Sequence, residues 1–243
     1  MQTHIATDHQ ELSRETARQA AAFIRENPGS LLCLAAGDTP LGAFAELIKM
    51  QAAGEVDLSS VFYAGLDEWV GLGPLDKGSC RQVMGDNFYA PAGIPSSRIH
   101  IFDGLAALAD PAAECAAMDA WLAARGGIGL TLLGVGMNGH IGFNEPNTPR
   151  SASALVVPLD ETTRAVGVKY FDKPQPMESG ITIGLDALRA ARRVLVMASG
   201  AKKAPIIQRA FHTAPTPACP ASLLQGHSDL TLLLDKGAAP SRD

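Results

Sequence analysis

Residues 9 to 26, "HQELSRETARQAAAFIRE", bring apolar side chains back to one side every three or four positions, and "NPGS" then ends the pattern with helix-breaking residues. This spacing predicts an amphipathic helix. The period then shortens. "LLCLAA" is a compact apolar run that fits a strand, followed by a helix from Pro40 through "LGAFAELIKMQAAG", a strand at "VFYAGL" and a helix around "KGSCRQVMGDNFYA". Further along come "RIHIF", a helix through "DPAAECAAMDAWLAARGG", strands at "LTLLGV" and near "SALVVPL", then "RRVLVMAS", a helix from Lys203, and "LTLLLD". Short, nearly continuous apolar strands separated by helices predict an α/β fold, a mainly parallel sheet with helices on both faces in three layers.

One stretch breaks the alternation. "LDETTRAVGVKYFDKPQPMESG" allows a short helix before Pro174 and Pro176 interrupt it, so about 159–180 reads either as an ordinary connection or as a lid over a site. The 243 residues suffice for one large core, and a single domain over 1–243 is expected. The chain has no apolar stretch of membrane-spanning length, and its polar start, "MQTHIATDHQELSRETARQ", has neither signal-peptide nor transit-peptide character. These features predict a cytoplasmic protein with no membrane partner. A net charge of −5 with scattered Lys and Arg argues against a nucleic-acid partner. Cys33, Cys80, Cys115 and Cys219 form no paired thiol motif and read as reduced packing residues.

In a parallel sheet, ligands settle beyond the carboxyl ends of the strands, which directs attention to four loops. In "AAGDTPLGAF", Gly37 permits a tight turn, Thr39 can cap and Pro40 suits a first helical position. Such a turn can offer backbone donors to a phosphate, although the same residues make ordinary strand-to-helix turns. In "GLDEWVGL", Asp67 and Glu68 follow an apolar strand and read either as a solvated helix start or, at Asp67, as a general base in a partly buried setting. "GVGMNGHIGFNEP" surrounds His140 with Gly134, Gly136 and Gly139, which let backbone approach a ligand, and with Asn138 and Glu145, which can orient an imidazole or bind hydroxyls. The spacing fits no zinc motif. In "MASGAKKAPII", Lys202 and Lys203 stand at a helix start, where cations are misplaced for the helix dipole unless an anion binds between that helix start and a lysine; solvated lysines are the alternative.

Together these motifs resemble the glucosamine-6-phosphate deaminase (isomerase) family, which includes the galactosamine-6-phosphate isomerases. The likeness runs from "LAAGDTPLG" through "LDEWVGL", "GVGMNGHIGFNEP" and "ITIGLDALRAARRVLVMASGAKKA" to "PASLLQGH". The related 6-phosphogluconolactonases carry Asp-Glu-Arg where this chain has Asp67-Glu68-Trp69, and lack the run Phe143-Asn144-Glu145-Pro146. The resemblance implies a modified doubly wound α/β fold. It also implies conversion of an amino-sugar 6-phosphate, gluco or galacto, to a ketose 6-phosphate and ammonia, with no metal or organic cofactor and as a monomer or homo-oligomer. By the same resemblance, Asp67 matches the base that moves a proton between carbons 2 and 1, His140 the ring-opening catalyst and Glu145 its assisting carboxylate. Gly37, Asp38, Thr39, Lys169 and Lys203 match substrate and phosphate-binding positions.

Three departures stand out. Ala36 and Asp38 occupy a turn where the family commonly has hydroxyl-bearing Thr-Gly-Ser-Thr or Thr-Gly-Gly-Thr, so Asp38 must point away, be paired or mark a different substrate. Lys169 stands where some members use Arg, keeping charge but giving up bidentate geometry. Asn138 replaces an Asp of some relatives and keeps hydrogen-bonding capacity without the charge. Two other functions stay open on the residues: lactone hydrolysis on the same fold, and a non-catalytic sugar-phosphate sensor.

Overall fold

The computed structural model describes residues 1–175 and 177–240. Its centre is a seven-stranded sheet built from β1 (Gln2–Ala6), β2 (Leu31–Leu34), β3 (Phe62–Gly65), β5 (Ile99–His100), β6 (Leu130–Gly134), β9 (Arg193–Ala198) and β10 (Leu230–Asp235). The spatial order is β1-β10-β9-β6-β2-β3-β5, and every neighbouring pair is parallel. The expected parallel α/β sheet is therefore present. The apolar runs are continuous because successive side chains enter different layers. Leu31 and Cys33 join a core with Val194, Val196, Leu232 and Leu234, whereas Leu32 and Leu34 join another with Leu195, Met197 and Leu233.

Helices close both faces. On one side α1 (His9–Glu26) and α2 (Leu41–Ala52) contribute Leu12, Phe23, Ile24, Phe44 and Leu47; on the other, α5 (Pro111–Ala123), α7 (Leu185–Arg189) and α8 (Ala204–Phe211) contribute Met118, Leu122, Leu188, Ile207 and Phe211. Asp8 caps α1 by accepting the Glu11 N–H at 2.8 Å, so the helix begins where its apolar period begins.

The structure also departs from the pattern. The polar start forms β1, an edge strand registered from Gln2 opposite Thr231 to Ala6 opposite Asp235, with only Ala6 buried. Backbone pairing holds such a strand, and apolar alternation does not reveal it. The helix expected around 77–90 divides into α3 (Cys80–Met84) and a π-helical turn over Gly85–Tyr89 that buries Phe88 and Tyr89. A short helix α4 (Gly104–Ala109) precedes α5.

A second, antiparallel sheet has the order β4 (Asp67–Trp69), β8 (Ser179–Thr182), β7 (Leu155–Pro158). It packs over Trp69, Leu72, Phe143, Val157 and Leu159. Between β7 and β8 runs the stretch read as connection or lid. It holds α6 (Glu161–Gly167), capped by Asp160, and a 3₁₀ turn over Val168–Tyr170; Pro176 lies outside the described residues.

Candidate active site

The first loop leaves β2 with Ala35 still bonded to the Leu132 carbonyl at 3.1 Å and turns through Asp38, whose carbonyl accepts the Leu41 N–H at 3.3 Å. Thr39 does not cap α2 as its position suggested: no side-chain bond caps that helix, and the Thr39 carbonyl accepts from His9 Nε2 at 3.0 Å. The alternative of a solvated acidic helix start in the second loop also fails. After Leu66, whose N–H bonds the Leu34 carbonyl at 3.1 Å, the chain enters β4 and leaves the main sheet.

Strand alternation then gives the two adjacent acids opposite fates. Glu68 is 1% exposed and accepts backbone N–H groups from Trp69, Cys80 and Arg81 at 2.8–2.9 Å. Burial nevertheless dominates those donors and pushes its pKa up to about 7. Asp67, registered opposite Thr182, faces the cavity. Enclosure by protein pushes its pKa up to about 6, against the pull of His140 and the Cys80 thiol, which favour the carboxylate.

The third loop is shaped around an imidazole. Gly136 donates to the His140 carbonyl at 3.0 Å, and a Cβ on Gly136 would lie 2.3 Å from His140 Cδ2 and Nε2. Glycine is therefore required there by the close approach of the ring, while Gly139, at φ +92°, makes the turn itself. Asn138 accepts the His140 N–H at 3.1 Å and donates to Glu145 Oε2 at 2.8 Å. His140 Nδ1 stands 3.3 Å from Glu145 Oε2 and 2.9 Å from Thr163 Oγ1 on α6. Burial alone would raise the Glu145 pKa; bonds from His140, Thr163 and Asn138 outweigh it and hold the carboxyl below its ordinary value.

Two lysines complete the cavity. Gly200, at φ +88°, turns the chain after β9, and Asp235 holds that turn by accepting from Ser199 Oγ at 2.5 Å and from the Gly200 N–H at 3.0 Å. Lys203 follows, half-buried, with Nζ donating to the Val135 carbonyl at 2.5 Å. Its pKa is depressed, first by burial and then by repulsion from Lys169. Lys169, in the 3₁₀ turn after α6, pairs with Asp38 Oδ2 at 2.5 Å, so Asp38 is paired rather than turned away. Lys202 is exposed.

One cavity is lined by Gly37, Asp38, Thr39, Asp67, His140, Lys169 and Lys203, as well as by Thr163, Cys80 and Gly136. Asn138 and Glu145 do not line it and reach it through His140. Thr163 and Cys80 are the contributors the sequence reading missed: Cys80, expected only to pack, lines the cavity and its thiol bonds Asp67, while Thr163 lies in a polar segment without a distinguishing motif, and only the packing of α6 against the third loop reveals it. Among the described residues no three His, Cys, Asp or Glu side chains group as metal ligands.

The sequence model of the glucosamine-6-phosphate isomerases and 6-phosphogluconolactonases matches residues 6–232. The chain belongs to this family. Among family members, a glucosamine-6-phosphate deaminase of Lachnoclostridium phytofermentans is 39% identical, with 94% of this chain and 96% of the relative covered. One from Halothermothrix orenii is 38% identical over 98% of this chain and 99% of its own. The solved structure of a monomeric glucosamine-6-phosphate deaminase of the NagB superfamily superposes with a TM-score of 0.93 at 33% identity, covering 98% of each chain. A 6-phosphogluconolactonase from Trypanosoma cruzi reaches a TM-score of 0.80 at 17% identity, over 98% of this chain and 95% of its own; that likeness concerns the fold alone.

Proposed function

We propose that this protein is an enzyme that isomerises and deaminates an amino-sugar 6-phosphate, releasing a ketose 6-phosphate and ammonia. The observation that carries the reading is the placement of Asp67 and His140 on one cavity that also receives the Lys169 and Lys203 side chains. The deaminase relatives at 38–39% identity over nearly the whole chain support it.

The chemistry follows from the positions. His140 takes the proton of the anomeric hydroxyl and returns one to the ring oxygen, opening the sugar to its aldehyde. Glu145 and Asn138 fix the ring from behind, because a carboxylate and an amide oriented on one another leave the imidazole little freedom. Asp67, as carboxylate, removes the proton on carbon 2 while the substrate's own ammonium gives a proton to the aldehyde oxygen, leaving a neutral enolamine, and then delivers the carbon 2 proton to carbon 1. The product is an imine at carbon 2, to which water adds and from which ammonia departs. A pKa near 6 keeps the carboxylate ionised at neutral pH while making it a stronger base than an ordinary aspartate. Lys203 and Lys169 hold the phosphate at the mouth of the first loop, together with Gly37 and Thr39. The stretch from 159 to 180 acts as a lid within one 1–243 domain, since α6 and the following turn bring Thr163 and Lys169 to the cavity. Four free cysteines suit a reducing, cytoplasmic setting.

The decisive experiment is an ammonia assay with glucosamine 6-phosphate and galactosamine 6-phosphate, run beside an acid-release assay with 6-phosphogluconolactone. Ammonia from either sugar supports the proposal and names the epimer. Accelerated lactone hydrolysis without ammonia, or binding of both sugars without turnover, would overturn it.

A further inference from the structure

Asp38 is the one carboxylate placed in the turn that faces the two cavity lysines, and its partner lies 131 positions away in the segment over the cavity. The two lysines are held differently. Lys203 is half-buried and committed to the Val135 carbonyl. Lys169 and Asp38 have side chains 51% and 59% exposed, so their 2.5 Å pair is bathed by solvent, weak and readily exchanged. The charge of Lys169 is felt at Lys203, where it opposes protonation, so the ammonium groups share one field that an anion between them would relieve.

We infer that Asp38 is an affinity-setting residue: its carboxylate competes with the ligand's phosphate for Lys169, so that phosphate binds by displacing an internal anion. The inference rests on the phosphate reading of Lys169 and Lys203 given above. Its physical basis is that one ammonium cannot serve two anions at full strength. A phosphate entering this turn must break the Asp38 pair before the Lys169 ammonium serves it at full strength. The residue that departs from the family's hydroxyl pattern thereby lowers affinity at a turn that shares the cavity with two lysines.

The test is calorimetric titration of the full chain with inorganic phosphate, which reads the anion site without turnover. Asp38→Asn is expected to bind phosphate about three- to tenfold more tightly than the wild type, and Lys169→Ala more weakly. The double variant Asp38→Asn, Lys169→Ala should gain less than about twofold over Lys169→Ala, since the competition acts through that lysine. Unchanged or weaker binding by Asp38→Asn overturns the inference, as does the full gain persisting without Lys169 or the absence of phosphate binding by wild type and variant alike. Failure to release ammonia, with these phosphate responses intact, would remove the deaminase reading and leave the role of Asp38 standing.

Discussion

The floor of the cavity and the segment over it hold their side chains by different means. On the floor, Asp67 follows a strand pinned to β2 through the Leu66 N–H, and the His140 loop is anchored by Asn144, whose amide donates to the Ile141 and Ile183 carbonyls at 2.9 Å. Neighbouring Leu66, Ile141 and Phe143 are at most 4% exposed. Over the cavity, α6 buries only Thr163 and Gly167, Val166 lines the cavity, Val168 is exposed, and Lys169 is tied by an exposed ion pair. The contrast agrees with the roles proposed for the two regions: proton transfer needs groups fixed to fractions of an ångström in a dry setting, whereas a charged clamp on a ligand tolerates motion.

This contrast can be broken or sharpened by substitution. Asp67→Asn should cause the largest loss, about 10²–10⁴-fold in kcat by ammonia assay. In the wild type, kcat/KM should rise about tenfold per pH unit on the acid side and level off above about pH 6, as the carboxylate becomes available. The same group bears on stability. Its folded pKa, about 6, lies above the ordinary 3.8, so the folded state binds that proton more tightly; the contribution is complete below pH 3.8 and is lost as pH rises through about 6. Thermal melts should therefore show Asp67→Asn more stable than wild type at pH 8 and not at pH 3.5. A variant that is both inactive and destabilised at pH 8 would argue that the carboxylate supports the floor instead of straining it.

Gly136→Ala comes next. Its new methyl group would meet the His140 ring at 2.3 Å, so the imidazole must swing off the cavity wall. A fall of about 10²-fold in kcat is expected together with a lowered melting temperature, because the displaced ring gives up its contacts with Glu145 and Thr163; full activity would show that the ring is not held where it acts. On the segment above, Lys169→Ala should raise KM for the sugar phosphate about tenfold with little change in kcat, because it removes binding common to ground and transition states. Thr163→Val should have the smallest effect, several-fold in kcat at nearly constant KM, and Thr163→Ser should restore it because the hydroxyl beside Nδ1 returns. If the serine variant fails as the valine does, the hydroxyl alone is not enough and the γ-methyl packing of α6 is required beside it; a fully active valine variant would show that the hydroxyl plays no part.

The central architecture was legible wherever side-chain burial imposed a period. β2, β6, β9 and β10 are buried on both faces and read as apolar runs, and α1 and α5 carry cappable starts and breaker ends. β1, β4 and β8 were not legible. β1 is exposed on most of its length, and the other two are three and four residues long, held by pairing with segments far along the chain. In the cavity, the loops holding Asp67, His140 and Lys203 could be picked out because each follows a strand whose carboxyl end faces the cavity in a parallel sheet, while the choice of those three side chains came from the resemblance to the family. Thr163 could not, since nothing local places α6 beside the third loop, and the cap expected of Thr39 gave way to the contact its carbonyl makes with His9.

By itself the order of residues determined what depends on near neighbours: which segments are helix or strand, where glycine lets the chain turn sharply, and which loops follow strands. Asp67 and Glu68 mark the limit of that information. They are chemically alike and adjacent, yet one opens on the cavity opposite Thr182 and the other is sealed beneath three backbone N–H donors from Trp69, Cys80 and Arg81. Only the tertiary structure chose between them, because the affinity of a carboxylate for its proton is set by the water it loses and the donors it gains, and both are delivered by parts of the chain that meet on folding.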